Sequence, residues 1–493
     1  MIQGTSYSTI VIGAGSGGLT VALGLANLGK RVALVEERYV GGDCTNVGCI
    51  PSKTLIYLAE HGDQSAAAVL ATVQAKRNHL RDEETHDVQR ADNLDYFQGR
   101  ARFTAPKHLD VALADGAHQQ LSADNIVIAT GSRPRDLQLP GLPQERMLTN
   151  ESVFEQQDAP QHLAIIGSGV IAMELAFAFR KLGSRVTIIT KSQRVLANGV
   201  EAASQALHDS LNEQGIHAYY GATATNYDAA TSTLRLDAGG QPQALEAVDR
   251  VLVAVGRVRN LEQLGLEQTG VDWNQKGVTV DQYGATNVSG IYAIGDVTPD
   301  SHWTHSANAQ GRRVVQRIAF PLLPAWSGAP LYPNATFSDP EVANVGLMPE
   351  QIAKRYHPGL IKTIRVDLPK TDRGYTEGLT RGFIQVYAVR LTGRILGATI
   401  VGPRAAEMIS FFTLAISERI SLYRLYRLVY PYPTHSSGIQ KVADTFVRET
   451  LPQLPSELRD VTRYALATVW RRLGLGQHSS SVTESQPSVS RPA

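Results

Sequence analysis

Residues 9–12 form a short β-branched apolar run, which a glycine-rich segment ends before a helical pattern of apolar positions takes over across residues 19–28. Four apolar positions then run from Val32 to Val35 and stop at Glu36. A run with no polar member reads as a strand covered on both faces, and strand, glycine turn, helix and strand in succession read as a βαβ unit. The pattern recurs, with a strand at residues 162–166, a glycine turn, a helix at 174–181 and a strand at 185–190. Two more buried-strand runs, Ile126 to Thr130 before Gly131 and Val251 to Val255 before Gly256, each return the chain to its sheet. Ile291 to Ile294 closes on Gly295 and Asp296, an acid at the end of an apolar strand, where an open α/β sheet places its ligand.

Beyond Pro330 the texture changes to alternating segments at residues 383–387 and 395–400, followed by apolar helical residues at 405–416. This predicts an antiparallel sheet with helices, a separate α+β domain. After Pro455 one amphipathic helix is expected at residues 457–473, packed on its own domain or on a partner rather than lying on a membrane. The Ser-, Gln- and Pro-rich residues 477–493 are expected to be disordered. The fold class is therefore α/β, with two Rossmann-like dinucleotide-binding domains and a C-terminal α+β domain.

Each glycine turn has a chemical reading. Gly13, Gly15 and Gly18 form G-x-G-x-x-G between strand and helix, with Glu36 about twenty residues on, the dinucleotide fingerprint. Such glycines permit the tight turn and the close approach of backbone to pyrophosphate, while the helix N-terminus offers donors to the phosphates. Glu36 fits a carboxylate that accepts from ribose hydroxyls. Gly167, Gly169 and Ala172 repeat the turn. Two dinucleotide sites imply two nucleotides, and a flavin receiving hydride from a nicotinamide is the economical pairing. The second unit carries Thr190, Lys191 and Arg194 where an acid would serve the ribose of NADH, so NADPH is expected to be preferred to NADH.

Composition narrows the class. A chain of 493 residues with net charge +1 and interspersed signs lacks the basic stripe of a nucleic-acid binder. No apolar run reaches the ~18 residues of a membrane span, and a cytoplasmic location is expected. Two cysteines cannot build a disulfide framework, so the close pair Cys44 and Cys49 is catalytic, metal-binding or accidental. Zinc would need two more ligands, and no Cys or His lies close in sequence to supply them.

The segment Gly41-Gly-Asp-Cys44-Thr-Asn-Val-Gly-Cys49-Ile-Pro-Ser-Lys53 resembles the active-site signature of the class I pyridine nucleotide-disulfide oxidoreductases, which include glutathione reductase, dihydrolipoamide dehydrogenase and mercuric reductase. The order of motifs from Thr9 to about Leu451 matches that family as well. The resemblance implies FAD on Gly13, Gly15, Gly18, Glu36, Thr130, Gly131 and Asp296. It implies NAD(P) on Gly167, Gly169, Ala172, Thr190, Lys191, Arg194 and Gly256. Cys44 would be the interchange thiol that meets the acceptor and Cys49 the thiolate against the flavin, with Lys53 paired to Glu174. The expected domains are 1–148 with 277–330 for FAD, 149–276 for NAD(P) and 331–455 for homodimerisation, with 456–493 as a tail.

Two departures bear on the acceptor. Family disulfide reductases carry a His before Pro-Thr, with a Glu following, as acid and base from the other subunit; here Tyr432 and Ser437 stand at those places. Mercuric-reductase-like members resemble this chain at the tyrosine, yet no cysteine follows Cys49 to hand over a metal. Two readings of His435 stay open, a stand-in base or a surface or interface histidine. His302 and His305 have no assigned role. The acceptor is then a metal ion, another small electrophile or an unidentified disulfide. The alternatives are a dihydrolipoamide- or glutathione-type oxidoreductase and a redox sensor acting through a docked partner.

Overall fold

A computed structural model describes residues 5–299, 303–324 and 330–472. His302 and residues 477–493 lie outside the described residues. Two compact units divide the chain, residues 1–345 with 400–410, and residues 346–399 with 411–493.

The first unit holds two large sheets beside smaller ones. In one, parallel strands follow the order Leu94–Ala105, Val32–Glu36, Thr5–Ile12, His118–Ile128 and Ile291–Ala293, while His108–Leu113 pairs antiparallel with both Leu94–Ala105 and His118–Ile128. Alternation explains why the runs are wholly apolar. Ile10, Ile12, Ile126 and Ile128 pack on one face with Phe103 and Leu121, whereas Val11 and Val127 meet Val21, Leu25 and Val314 of the covering helices on the other. The second sheet is fully parallel, in the order His217–Tyr219, Arg185–Ile189, His162–Ile166, Arg250–Val253 and Met147–Leu148. These are the two Rossmann-like sheets.

Both helices after the glycine turns start earlier than their apolar pattern suggests, at Ser16–Asn27 and Val170–Lys181, with Gly15 and Gly169 as N-caps. In the first helix Gly17 and Gly18 belong to the opening turn, so residue type hides its start, whereas the second opens directly on Val170 and Ile171. Glu174 consequently sits inside its helix and is 4% exposed. The 25-residue helix Ala66–Arg90 has no counterpart in the sequence reading, because apart from Arg77 only Val69, Leu70, Val73 and Val88 of it are buried.

In the second unit Ile361–Asp367 pairs antiparallel with Phe383–Val389, and Ile395–Val401 lies beside the latter. Helix Ser437–Thr450 buries Ile439, Val442, Ala443 and Phe446. The last helix, Leu454–Arg472, is fastened to its own unit. Glu457 accepts from Arg390 at 2.9 Å and Tyr464 stacks on His357 at 4.6 Å between centroids. Among the described residues no helix is long and apolar enough to cross a membrane.

Candidate active site

The two cysteines lie on consecutive short elements, Cys44 in helix Gly42–Asn46 and Cys49 at the first position of helix Cys49–His61. Gly41 and Gly42 take φ of 90° and 56°, which lets the chain reverse before the first of these. Both sulfurs are half-buried thiols lining one cleft. The hydrogen bond from Cys44 holds Cys49 down to about 6, helped by Thr304 and the Lys53 charge against the opposing effect of burial. The same hydrogen bond and burial push the Cys44 thiol well up. One sulfur of the pair is thus the thiolate and the other its proton donor, and the free N–H groups at the start of the Cys49 helix favour that charge. Thr304 Oγ1 lies 3.4 Å from Cys49 Sγ and opens the helix Thr304–Ala319.

One turn beyond Cys49, Lys53 Nζ donates to Glu174 Oε2 at 2.7 Å. The other carboxylate oxygen accepts the Phe337 N–H at 3.0 Å, and Lys53 Nζ sits 4.7 Å from the Phe337 ring centroid. Residues from both βαβ units therefore meet beside the thiolate.

The cleft measures about 980 Å³, at the upper end of sizes usual for small-molecule and cofactor sites. Its glycines divide by what they make room for. A Cβ on Gly13, at φ 104°, would lie 2.4 Å from Ala129 O, and one on Gly18 would lie 1.9 Å from Gly13 O, so the protein's own turn requires both. A Cβ on Gly15 would meet nothing of the protein nearer than 3.9 Å and would fill the cleft instead. That is the cradle a pyrophosphate needs, so FAD fits these residues. Glu36 accepts from the backbone N–H of Ala14 and of Arg38, each at 2.7 Å, and burial pushes its carboxyl up.

Asp296, at the strand end, accepts from Ser132 Oγ at 2.6 Å. Arg257 reaches the same point, donating to Ser132 Oγ at 2.7 Å and to Asp43, with Asp296 at 3.8 Å. Thr130 Oγ1 donates to Asn260 O at 2.7 Å, so its side chain braces the turn at Gly131, which takes φ of 69°. His305, near the mouth, bonds Pro333 O at 2.7 Å.

In the second fingerprint Gly167, at φ 126°, is required by Ala254 O at 2.2 Å from a Cβ, whereas Gly169 has nothing within 4 Å, and Ala172 is wholly buried. The division among glycines repeats. Thr190 shares a hydrogen bond with Ser168 at 2.8 Å and is 5% exposed, while Arg194 donates to Ala197 O and Gly199 O at 2.7 and 3.1 Å. Lys191 is exposed, and Gly256 takes φ of 110°.

Tyr432 and His435 belong to the second unit. Tyr432 is 74% exposed. His435 is largely buried, with Nε2 2.9 Å from Glu377 Oε2, and Arg373 binds the other oxygen of that carboxylate at 2.5 Å. Ser437 instead donates to Thr434 O at 2.6 Å. An imidazole–carboxylate pair is present, then, with the imidazole three residues past Tyr432 and the carboxylate, Glu377, remote in sequence from Ser437. Sequence reading missed Glu377, Thr304, Ser132 and Arg257. Ser132 and Arg257 carried a signal, each directly following a recognised glycine, Gly131 and Gly256.

Residues 7–312 match the model of the pyridine nucleotide-disulphide oxidoreductases, and residues 332–443 match that family's dimerisation domain. Dihydrolipoyl dehydrogenase 3 of Pseudomonas aeruginosa is 34% identical over 463 residues, 89% of this chain and 97% of that protein. A mercuric reductase of Staphylococcus aureus is 32% identical over 462 residues, covering 90% of this chain and 83% of its own. Among solved structures, the Cu(II) complex of the HOCl-induced flavoprotein disulfide reductase RclA from Escherichia coli superposes with a TM-score of 0.82 at 25% identity, over 90% of this chain and 99% of that one.

Proposed function

Since the chain belongs to the pyridine nucleotide-disulphide oxidoreductase family, an FAD-dependent family of enzymes, we propose that NADPH is its reductant and that Cys44 and Cys49 pass the electron pair to a metal ion or comparable small electrophile. FAD, when bound, supplies two-electron exchange between a nicotinamide hydride and a disulfide. The observation that carries the reading is the thiolate Cys49 at the edge of the dinucleotide cleft, held by Cys44, Thr304 and Lys53. On this reading Gly13, Gly15, Gly18, Glu36 and Asp296 hold FAD within residues 1–148 and 277–330. Gly167, Gly169 and Lys191 hold NADPH within 149–276, and 331–455 forms the homodimer of a cytoplasmic enzyme.

The acceptor follows from proton supply. When an organic disulfide takes the electron pair, the attacking Cys44 thiol must give up a proton and the leaving thiolate must gain one, so a group that serves as base and then as acid is needed while Cys44 and Cys49 close to a disulfide. One Hg(II), or two Cu(II) taking one electron each, accepts the pair from two thiolates with no proton from the protein. Tyr432 is exposed where the family's disulfide reductases have a His, and a phenol is a poorer base than an imidazole. The Cu(II) complex of a structural relative supports a metal-ion acceptor. A dihydrolipoamide-type reading draws on one observation, the His435–Glu377 pair, which supplies an acid–base couple by another route.

An NADPH-oxidation screen of purified holoenzyme against Hg(II), Cu(II), quinones, oxidised glutathione, lipoamide and oxygen separates them. Turnover is expected with a metal ion or quinone and to be poor with both disulfides. Fast lipoamide or glutathione reduction would move the assignment to the disulfide reductases.

A further inference from the structure

Cys44 faces two spaces. Besides the dinucleotide cleft it lines a smaller cavity of about 330 Å³, whose polar walls come from Ser16, Thr20, Cys44, Thr45, Glu84 and Asn308. Cys44 and Glu84 are the only ionisable side chains in that lining. Glu84 belongs to the helix Ala66–Arg90, and Thr45, next to Cys44, donates to its Oε1 at 3.2 Å. Its Oε2 is buried with no hydrogen-bond partner. Room for that oxygen comes from Gly41, where a Cβ would lie 2.2 Å from Oε2. The glycine ahead of the cysteine motif and the acid on a distant helix are thus fitted to one another.

We propose that Glu84 is a specificity-determining residue that makes the small cavity beside Cys44 selective for cationic thiol-reactive acceptors and against anionic ones. The proposal rests on the assignment of Cys44 as the interchange thiol. A half-buried carboxylate with one oxygen unpartnered attracts a cation and repels an anion at short range, even though solvent reaches part of it. Its influence already reaches the sulfur, since the Glu84 charge adds to the hydrogen bond and burial that push the Cys44 thiol up. Burial also pushes the Glu84 carboxyl up, the mark of a charge without compensation. Arg312, exposed, bonds Asn308 from outside the cavity lining. A thiophilic metal ion and a cationic disulfide share the favoured chemistry.

The test reads charge at Cys44 without turnover. In a Cys49→Ser holoenzyme, Cys44 is titrated with two methanethiosulfonates, one bearing a trimethylammonium group and one a sulfonate. In each reaction the thiolate attacks the sulfenyl sulfur, a mixed disulfide forms and the sulfinate leaves. Taking the ratio of the two rates cancels the thiolate fraction, and the same reagents on free cysteine remove their intrinsic difference. The normalised ratio is expected to favour the cation and to fall about tenfold in Glu84→Gln, as one largely screened charge acting with opposite sign on two reagents gives. Glu83→Gln, an exposed neighbour on the same helix, should leave it unchanged, and Arg312→Gln should raise it. A ratio equal in Glu84→Gln and its parent overturns the proposal. Turnover of Cu(II), cystamine and oxidised glutathione by the unmodified enzyme then distinguishes metal from organic cation. Absence of turnover with every acceptor would sink the proposed function while leaving the labelling ratio readable.

Discussion

Four groups act on Cys49 at once, and their signs determine what each reports. The Cys44 thiol, Thr304 and Lys53 favour the thiolate, while burial and Glu174 oppose it, and the balance lies at about 6. A depressed thiol value means that the thiolate persists above that pH and is lost as pH falls through it. The long-wavelength absorbance of a thiolate against oxidised flavin should therefore be present in Cys44→Ser holoenzyme at neutral pH and absent from Cys49→Ser. Because serine still offers a hydroxyl to Cys49, the midpoint of its acid loss should stay within about one unit of the parent value. Lys53→Met removes the cation while leaving Glu174, so the midpoint should move upward. A spectrophotometric titration checks all three. If both cysteine variants kept the band, or if Lys53→Met lowered the midpoint, the electrostatic account of the pair would be wrong.

At the scale of elements, the two glycine turns separate folding from binding. Gly18→Ala sets a Cβ 1.9 Å from backbone, which cannot move aside as a flexible side chain would, whereas Gly15→Ala meets only open cleft. Gly18→Ala is expected to cost roughly 1–3 kcal/mol of apoprotein stability by overpacking. Gly15→Ala should leave apoprotein denaturation unchanged and weaken FAD binding tenfold or more, on the order of 1.4 kcal/mol. Equal effects of the two on apoprotein stability would remove the argument for a pyrophosphate cradle. The strand Arg185–Ile189 ends in Thr190, whose hydroxyl is already engaged, and in Lys191, which is exposed. Lys191→Glu should consequently lower kcat/KM for NADPH more than for NADH, and a parent enzyme with higher kcat/KM for NADH would refute the coenzyme preference. Legibility in the sequence followed the same division. Strands covered on both faces and glycines with positive φ announce themselves, because burial and backbone geometry restrict residue type locally. The helix Ala66–Arg90 buries so few of its residues that its pattern is nearly that of a solvated segment, and with it Glu84 went unseen. Glu377 was hidden for another reason, since only the fold brings it to His435.

For the molecule as a whole, the second unit exposes apolar residues that a lone subunit leaves in water: Leu414 at 57%, Leu428 at 49%, Val429 at 96% and Tyr432 at 74%. Exposed apolar surface of this kind marks an interface, and the matched dimerisation domain covers Leu414, Leu428, Val429 and Tyr432. A two-fold dimer makes each contact twice, so a residue donated by one subunit to its neighbour is returned by the neighbour. If Tyr432 serves the cysteines of the other subunit, a Cys44→Ser chain and a Tyr432→Phe chain can complement each other. In their hybrid, one site lacks both groups, while the other combines the intact Cys44 of one chain with the intact Tyr432 of its neighbour. Random exchange of equal amounts makes about half the dimers hybrid, each with one complete site of two, so activity should return to about a quarter of the parent value. Were Tyr432 to act on its own subunit, every site in the mixture would lack one group and mixing would restore nothing. Tyr432→Phe homodimers must themselves be impaired with the acceptor used, and parent-like turnover by that variant would show that Tyr432 has no part in the reaction. Size-exclusion chromatography of each variant before mixing ensures that a negative result reflects the site rather than a failure to dimerise.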